Sequence, residues 1–216
     1  MIKLFFLLIA IVFLAVGCSE DSTGPSSNGV IMPLAVGNEW VQRVTMYYLD
    51  GSIDTTYLDT IRIRDKVFDG SDTIYLFNSN LAGANRKNGY YIALSDSLQI
   101  IAKYPVFAGE VFRRDTSIDV PVWDTTSIRD TIISKFLCKE TNTFVNVAAG
   151  SFYCYKYQIH TSGTFRADAG ASPEYIENLI EYYYAPGIGE VKSYSYGWKD
   201  SLVLMNKREL VSYHLN

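Results

Sequence analysis

The sequence predicts a mainly β protein: a single domain of antiparallel strands forming a curved sheet, half-barrel or sandwich, with at most one short helix. Three observations predict it. Seventeen Tyr, eleven Phe and three Trp, set among many Thr, Ile and Val, are the composition of strands. Asp50-Gly51, Asp69-Gly70 and Asn88-Gly89 are strong hairpin dipeptides, and they fall at short intervals. No stretch sustains a 3.6-residue apolar period, whereas several alternate apolar and polar residues.

Before the domain comes a leader. Met1 to Lys3 is a short basic start, and Leu4 to Val16 is an apolar run too short to span a bilayer, which takes about 20 residues. Residues 1–17 are therefore read as a signal peptide that ends just before Cys18. Residues 18–29, with Ser22, Gly24, Pro25, Ser26, Ser27 and Gly29, form a flexible tether. The acidic Glu20 and Asp21, which follow Ser19, admit two readings, a surface-export signal or simply a solvated part of the tether. The folded domain is placed at residues 30–216.

Within it, the first strands are expected at Glu39–Leu49 and Thr56–Arg64, then at Lys66–Phe68 and Thr73–Phe77 around the Asp69-Gly70 turn. Tyr90–Leu94 and Leu98–Tyr104 follow. Ile118, Val120, Val122, Ile128 and Ile132 alternate with polar residues and predict further strands. Ser134–Val147 and Phe152–Thr161 make a long hairpin about Ala149-Gly150. Ser172, Pro173 and Glu174 offer a cap, a proline at the first helical position and an early acid, so a short helix is expected through Leu179. Glu181–Tyr184 and Glu190–Tyr196 pair around a Pro/Gly turn, and Ser201–Met205 and Glu209–Leu215 pair around Asn206-Lys207.

One internal echo stands out. Pro33, Gly37 and Trp40 have the spacing of Pro105, Gly109 and Phe112: a rigid start, a glycine turn, then an aromatic entering the core. The echo predicts two similar sheet edges or a duplication of half the domain.

Chemistry is sparse in the pattern. The chain carries two His, His160 and His214, in no metal-ligand spacing, and no GxSxG, P-loop or GxGxxG motif. No catalytic residue, metal site or cofactor is assigned, and an enzyme is not expected. A hydrolase of envelope polymers would need a nucleophile or acid/base constellation that the motifs do not offer. The net charge of −4 and the absence of a basic run argue against nucleic acid as a partner. Cys138 and Cys154 form an even pair outside the cytoplasm, open to two readings: a disulfide, which the expected hairpin register does not place directly opposite, or two buried thiols. Tyr153, Tyr155 and Tyr157 share one strand face, and Tyr194, Tyr196 and Trp198 make a second row. These rings either fill the core or line a groove for a hydrophobic, glycan or protein ligand.

Four stretches carry a resemblance. Leu14, Ala15, Val16 and Gly17 before Cys18 resemble a bacterial lipobox, with Ala15 standing where Leu is commonest. Met32, Pro33, Leu34, Gly37, Asn38 and Trp40 resemble the start of many uncharacterised bacterial envelope lipoproteins. Ala148, Ala149, Gly150, Ser151 and Phe152 resemble their central hairpin, and Tyr184 to Lys192 their closing turn. That family is distantly similar to lipoprotein carriers of the LolA type. The resemblance implies diacylglycerol on the Cys18 sulfur, anchoring in the outer membrane with the domain in the periplasm or at the surface, and a binding or carrier role; a structural or assembly subunit is the alternative. It brings no catalytic residues with it.

Overall fold

The computed structural model describes residues 29–94, 97–119, 130–165, 172, 174–198 and 202–216. Twelve strands occur among them and no helix. The first six are β1 (Glu39–Tyr47), β2 (Ile53–Asp69), β3 (Asp72–Phe77), β4 (Ala82–Arg86), β5 (Gly89–Leu94) and β6 (Ser97–Lys103). The second six are β7 (Val111–Asp119), β8 (Asp130–Val147), β9 (Gly150–Phe165), β10 (Glu174–Ala185), β11 (Gly189–Trp198) and β12 (Leu202–His214).

They build one antiparallel sheet in the order β6-β5-β4-β3-β2-β1-β12-β11-β10-β9-β8-β7. Each six-strand half is a plain meander of next neighbours, and the first and last strands of the chain join the halves. Glu39 pairs with His214 and Met46 with Asn206 along that joint. The sheet curls into a nearly closed, barrel-like body. Side chains close the gap beside its edge strand β6: Arg113 Nη1 of β7 donates to Ile100 O at 3.2 Å, Tyr157 OH of β9 donates to Lys103 O at 2.6 Å, and Lys103 pairs with Glu110 just ahead of β7.

The echo of Pro33–Trp40 in Pro105–Phe112 is structural. Gly37 N donates to Ile63 O, and Gly109 N to Cys138 O. Ile63 N donates to Asn38 O, and Cys138 N to Glu110 O. Both glycines have positive φ, 93° and 85°, which a side chain would strain. Trp40 then enters the core at the start of β1, and Phe112 packs against it at the start of β7. The motif thus opens each half-sheet.

Several local expectations are corrected. The segment expected to be helical from Pro173 to Leu179 runs as strand from Glu174, paired with β9 along its whole length (Tyr175 with Thr164, Leu179 with His160). The local helix signal there is overridden by the ladder that β9 offers to Tyr175, Ile176 and Ile180. Asn206-Lys207 is no turn: β12 passes straight through, with Lys207 between Tyr194 and Thr45. β2 likewise fuses two expected strands across a register shift between Ile63 and Asp65. β4 was not expected at all. Its Gly83 lies under the rings of Tyr90 and Phe77, where an added Cβ would come within 2.9 Å of Tyr90 Cε2. Small residues mark close packing here, not a loop.

The hairpin of β8 and β9 turns on Ala148 and Ala149, with Val147 opposite Gly150. This register places Cys138 opposite Tyr157 and Cys154 opposite Thr143. Three positions apart on β9, Tyr157 and Cys154 face opposite sides of the sheet, so the two cysteines do as well. Both are buried free thiols. Burial pushes Cys138 up to about 11 and Cys154 up to about 12, which keeps both protonated at neutral pH.

Candidate functional site

The barrel interior holds a partly open cavity of about 180 Å³. Its apolar wall comes from Met32 ahead of β1, Ile61, Ile92 and Ile101, with Leu81 at the exposed side. Five aromatic residues complete it: Trp40, Phe77, Tyr90, Tyr182 and Tyr184. The polar groups that reach it are Gln42 and Glu190.

The opening stretch of the domain and its closing turn meet at this wall. The opening stretch supplies Met32 and Trp40, and the closing turn supplies Tyr184 and Glu190. Trp40 Nε1 donates to Ile188 O at 2.7 Å and ties one to the other. Gly189 is required at the contact. Its φ is +101°, and a Cβ there would lie 2.4 Å from Met32 Sδ.

Glu190 owes its direction to a bulge. On β11, Lys192, Tyr194 and Tyr196 point away from the cavity, opposite Tyr183, Glu181 and Leu179 of β10. An unbroken strand would turn Glu190 the same way. The register shifts between Tyr183 and Tyr184, so Glu190 pairs with the inward Tyr184 instead. Part of the residue remains accessible, yet Oε1 of its carboxylate is shut off from solvent and has no hydrogen-bond partner. Beside it lies a polar floor. Arg208 Nη1 reaches Gln42 Oε1 at 3.3 Å and Asp59 Oδ2 at 3.2 Å.

Burial raises the Glu190 carboxyl above the ordinary carboxylate range; Ser193, Arg208 and Gln42 pull the other way without cancelling it. Burial likewise raises the tyrosine hydroxyls of Tyr90, Tyr182 and Tyr184, which are all neutral at physiological pH. A raised carboxyl in the folded state means that folding favours the proton. Its stabilising contribution is complete below the unfolded-state value and is lost as pH rises through the folded-state value. Glu190→Gln is therefore expected to be more stable than the native chain at neutral pH, with the gap closing as the medium is acidified. Urea unfolding of both proteins at several pH values measures this; a variant less stable at neutral pH contradicts it.

The aromatics picked out from sequence are divided by the sheet. Tyr155 and Tyr157 lie on the cavity side, paired with Tyr184 and Tyr182, and stack on each other with centroids 6.4 Å apart. They extend the aromatic wall without lining the cavity. Tyr153 sits further along the same face, 66% exposed, against Phe144 at 5.2 Å. Tyr194 and Tyr196 are on the opposite face, where Lys192 lies over the Tyr194 ring at 5.1 Å and Tyr183 meets its edge. Trp198 ends β11 opposite Leu202. Tyr153, Tyr155 and Tyr157 thus lie on the opposite face of the sheet from Tyr194 and Tyr196. Cys18 lies outside the described residues. His160 binds Glu177 at 2.7 Å on the face away from the cavity. Among the described residues, no group of three His, Cys, Asp or Glu could hold a metal ion. The cavity residues that sequence reasoning missed, Gln42 and Glu190 above all, carried one signal: Glu190 sits inside the closing turn.

No protein-family model matches the chain, and no curated protein matches it by sequence. Among solved structures, it is similar to a candidate exported protein with a YmcC-like fold from Bacteroides fragilis. The two are 17% identical with a TM-score of 0.51, over 87% of this chain and 100% of that one. A candidate lipoprotein from Parabacteroides distasonis aligns over 86% of this chain and 99% of its own, at 12% identity and a TM-score of 0.42. The first likeness shows the fold: the chain has the architecture of the YmcC-like protein.

Proposed function

We propose that the chain is a lipid-anchored protein of the bacterial cell envelope whose barrel interior binds a small ligand without transforming it. The observation that carries the binding role is the cavity itself: a mostly apolar chamber, walled by both half-sheets, reached by one carboxylate oxygen that no group of the protein satisfies. The surrounding titratable groups support binding over catalysis. Tyr90, Tyr182, Tyr184 and Glu190 are all shifted toward their neutral forms, which makes the tyrosines poor nucleophiles. The anchoring role is supported by the lipobox-like Leu14 to Cys18 and by the polar stretch that follows it. The Bacteroides protein of the same fold, being a candidate exported protein, is consistent with an envelope location. The membrane proposed for the anchor is the outer one. Resemblance to LolA-type carriers supports carriage, with the ligand held inside the curved sheet.

Mass spectrometry tests both halves of the proposal on protein taken from the envelope in mild detergent. Under denaturing conditions, the native chain is expected to begin at Cys18 and to carry a diacylglyceryl and an acyl group that Cys18→Ser lacks. Under native conditions, it is expected to retain a small-molecule mass increment that Ile92→Phe, which fills the cavity, loses. An unmodified Cys18 sinks the anchor; equal increments in the two proteins sink the cavity as the binding site.

A further inference from the structure

The cavity's chemistry narrows its ligand, and the inference rests on the binding role proposed above. We propose that the interior site takes a small organic ammonium ion, its cationic head among the rings of Trp40, Tyr90, Tyr182 and Tyr184 and facing Glu190.

Three features of the site lead there. The first is the wall. Aromatic rings present electron-rich faces, and a cation placed over them gains attraction that an uncharged group of the same shape does not. Five of the twelve residues lining the chamber of about 180 Å³ are aromatic.

The second is the orphaned oxygen. A purely apolar guest would leave Glu190 Oε1 unsatisfied, at the cost that a buried acceptor always carries. An anion would meet a carboxylate. A neutral hydroxyl could donate one hydrogen bond but would not balance charge. An ammonium group supplies positive charge and, when it bears hydrogens, donors.

The third is the charge count on the inward face. Register and hydrogen bonds place Asp59, Arg208 and Glu190 there. Arg208 pairs with Asp59 and also acts on Glu190, so with Glu190 ionised one cation serves two carboxylates and the three groups carry a net charge of −1. The nearby lysines do not offset it. Lys156 pairs with Glu181, and Lys192 and Lys207 with Glu209, all on the face turned away from the cavity. A cationic guest closes the balance, and in doing so favours the ionised carboxylate that burial alone disfavours.

The volume limits the guest. A dry cavity of about 150 Å³ accommodates a single benzene ring, so the whole ligand, or the part of it that enters, is a head group of comparable bulk. A quaternary ammonium with three methyl groups is of that size.

Calorimetry on the full chain with choline and with 3,3-dimethylbutan-1-ol, its uncharged isostere, tests the charge directly. Choline is expected to bind at least about tenfold more tightly than the alcohol. In Glu190→Gln that preference is expected to fall to about threefold or less, with the remainder due to the rings. In Tyr182→Leu, which keeps bulk and removes a ring face, choline is expected to weaken more than the alcohol. Choline affinity in the native chain is also expected to fall as the pH is lowered and Glu190 takes its proton. Equal binding of choline and the alcohol overturns the ammonium assignment and leaves the cavity as a binding site. Choline binding that survives unchanged in Glu190→Gln and Tyr182→Leu overturns the assignment as well, since the cation would then sit elsewhere. No heat with either compound overturns the assignment for a head group of this size, while the native-mass increment decides the binding role separately.

Discussion

Trp40→Ala is expected to remove about 4 kcal/mol of folding stability, the range observed for deleting a large buried aromatic. Trp40 is 1% exposed and stands at the start of β1, the strand that joins the two half-sheets. Its indole fills the space between Met32 and the closing turn, and its N–H satisfies Ile188 O. The alanine variant loses the packing and leaves that carbonyl buried and unpaired. Because the same ring lines the cavity, ligand binding is expected to disappear with it. Trp40→Phe separates the two contributions: most of the packing is kept and the hydrogen bond is lost, so a cost of about 2 kcal/mol is expected. Urea denaturation measures both variants. An alanine variant within about 1 kcal/mol of the native chain contradicts the placement of Trp40 in the core.

Gly89→Ala is expected to be nearly as damaging, although it adds a single methyl group. Gly89 has φ +148°, a conformation that a side chain strains, and its ideal Cβ would lie 2.3 Å from Ala102 O and 2.9 Å from Lys103 Cα. Both are backbone atoms of the paired strand β6 and have no rotamer through which to move aside. The strain alone is worth about 1–3 kcal/mol, and the collision adds to it by spreading β5 from β6. A total of about 3 kcal/mol is expected, read from the thermal or urea midpoint. Tyr90 follows Gly89 directly and Ile92 lies two further on, so the displacement also moves two residues of the cavity wall. Gly70 provides the control. It too has positive φ, +59°, but nothing lies within 4 Å of an added Cβ, so Gly70→Ala is expected to cost about 1 kcal/mol.

The β architecture was legible because it is written locally. Alternating strands, glycine turns and the repeated Pro-to-aromatic spacing all leave marks a few residues long, and each of them is carried into the sheet. Three elements were misread where neighbours outweigh local preference. β10 carries a helix-start signal yet pairs with β9 along its whole length. Asn206 and Lys207 look like a turn yet occupy mid-strand positions, where Lys207 finds Glu209 at 2.7 Å. The small residues of β4 look like a loop until the rings of Tyr90 and Phe77 are seen above them.

The candidate site was less legible than the fold. Period-two reasoning assigns Glu190 to the outward row with Lys192 and Tyr194, and the bulge that reverses it leaves no local signature. Likewise, the tyrosines of β9 and β11 look like parts of one surface until the ladder through β10 shows them on opposite faces. Which face a residue takes was readable within a strand but not across a register shift.

The pairing of β1 with β12 has a consequence for how the chain comes to life. Every other ladder links strands that follow one another in sequence; this joint alone waits for the last strand to be delivered. Closing so long a loop carries the largest ordering entropy of any pairing in the sheet, so the meanders have their partners at hand earlier than the joint does. The chamber draws Trp40 and Gln42 from one half and Tyr182, Tyr184 and Glu190 from the other. A chain emerging vectorially, N-terminus first, therefore has no complete chamber until β12 arrives.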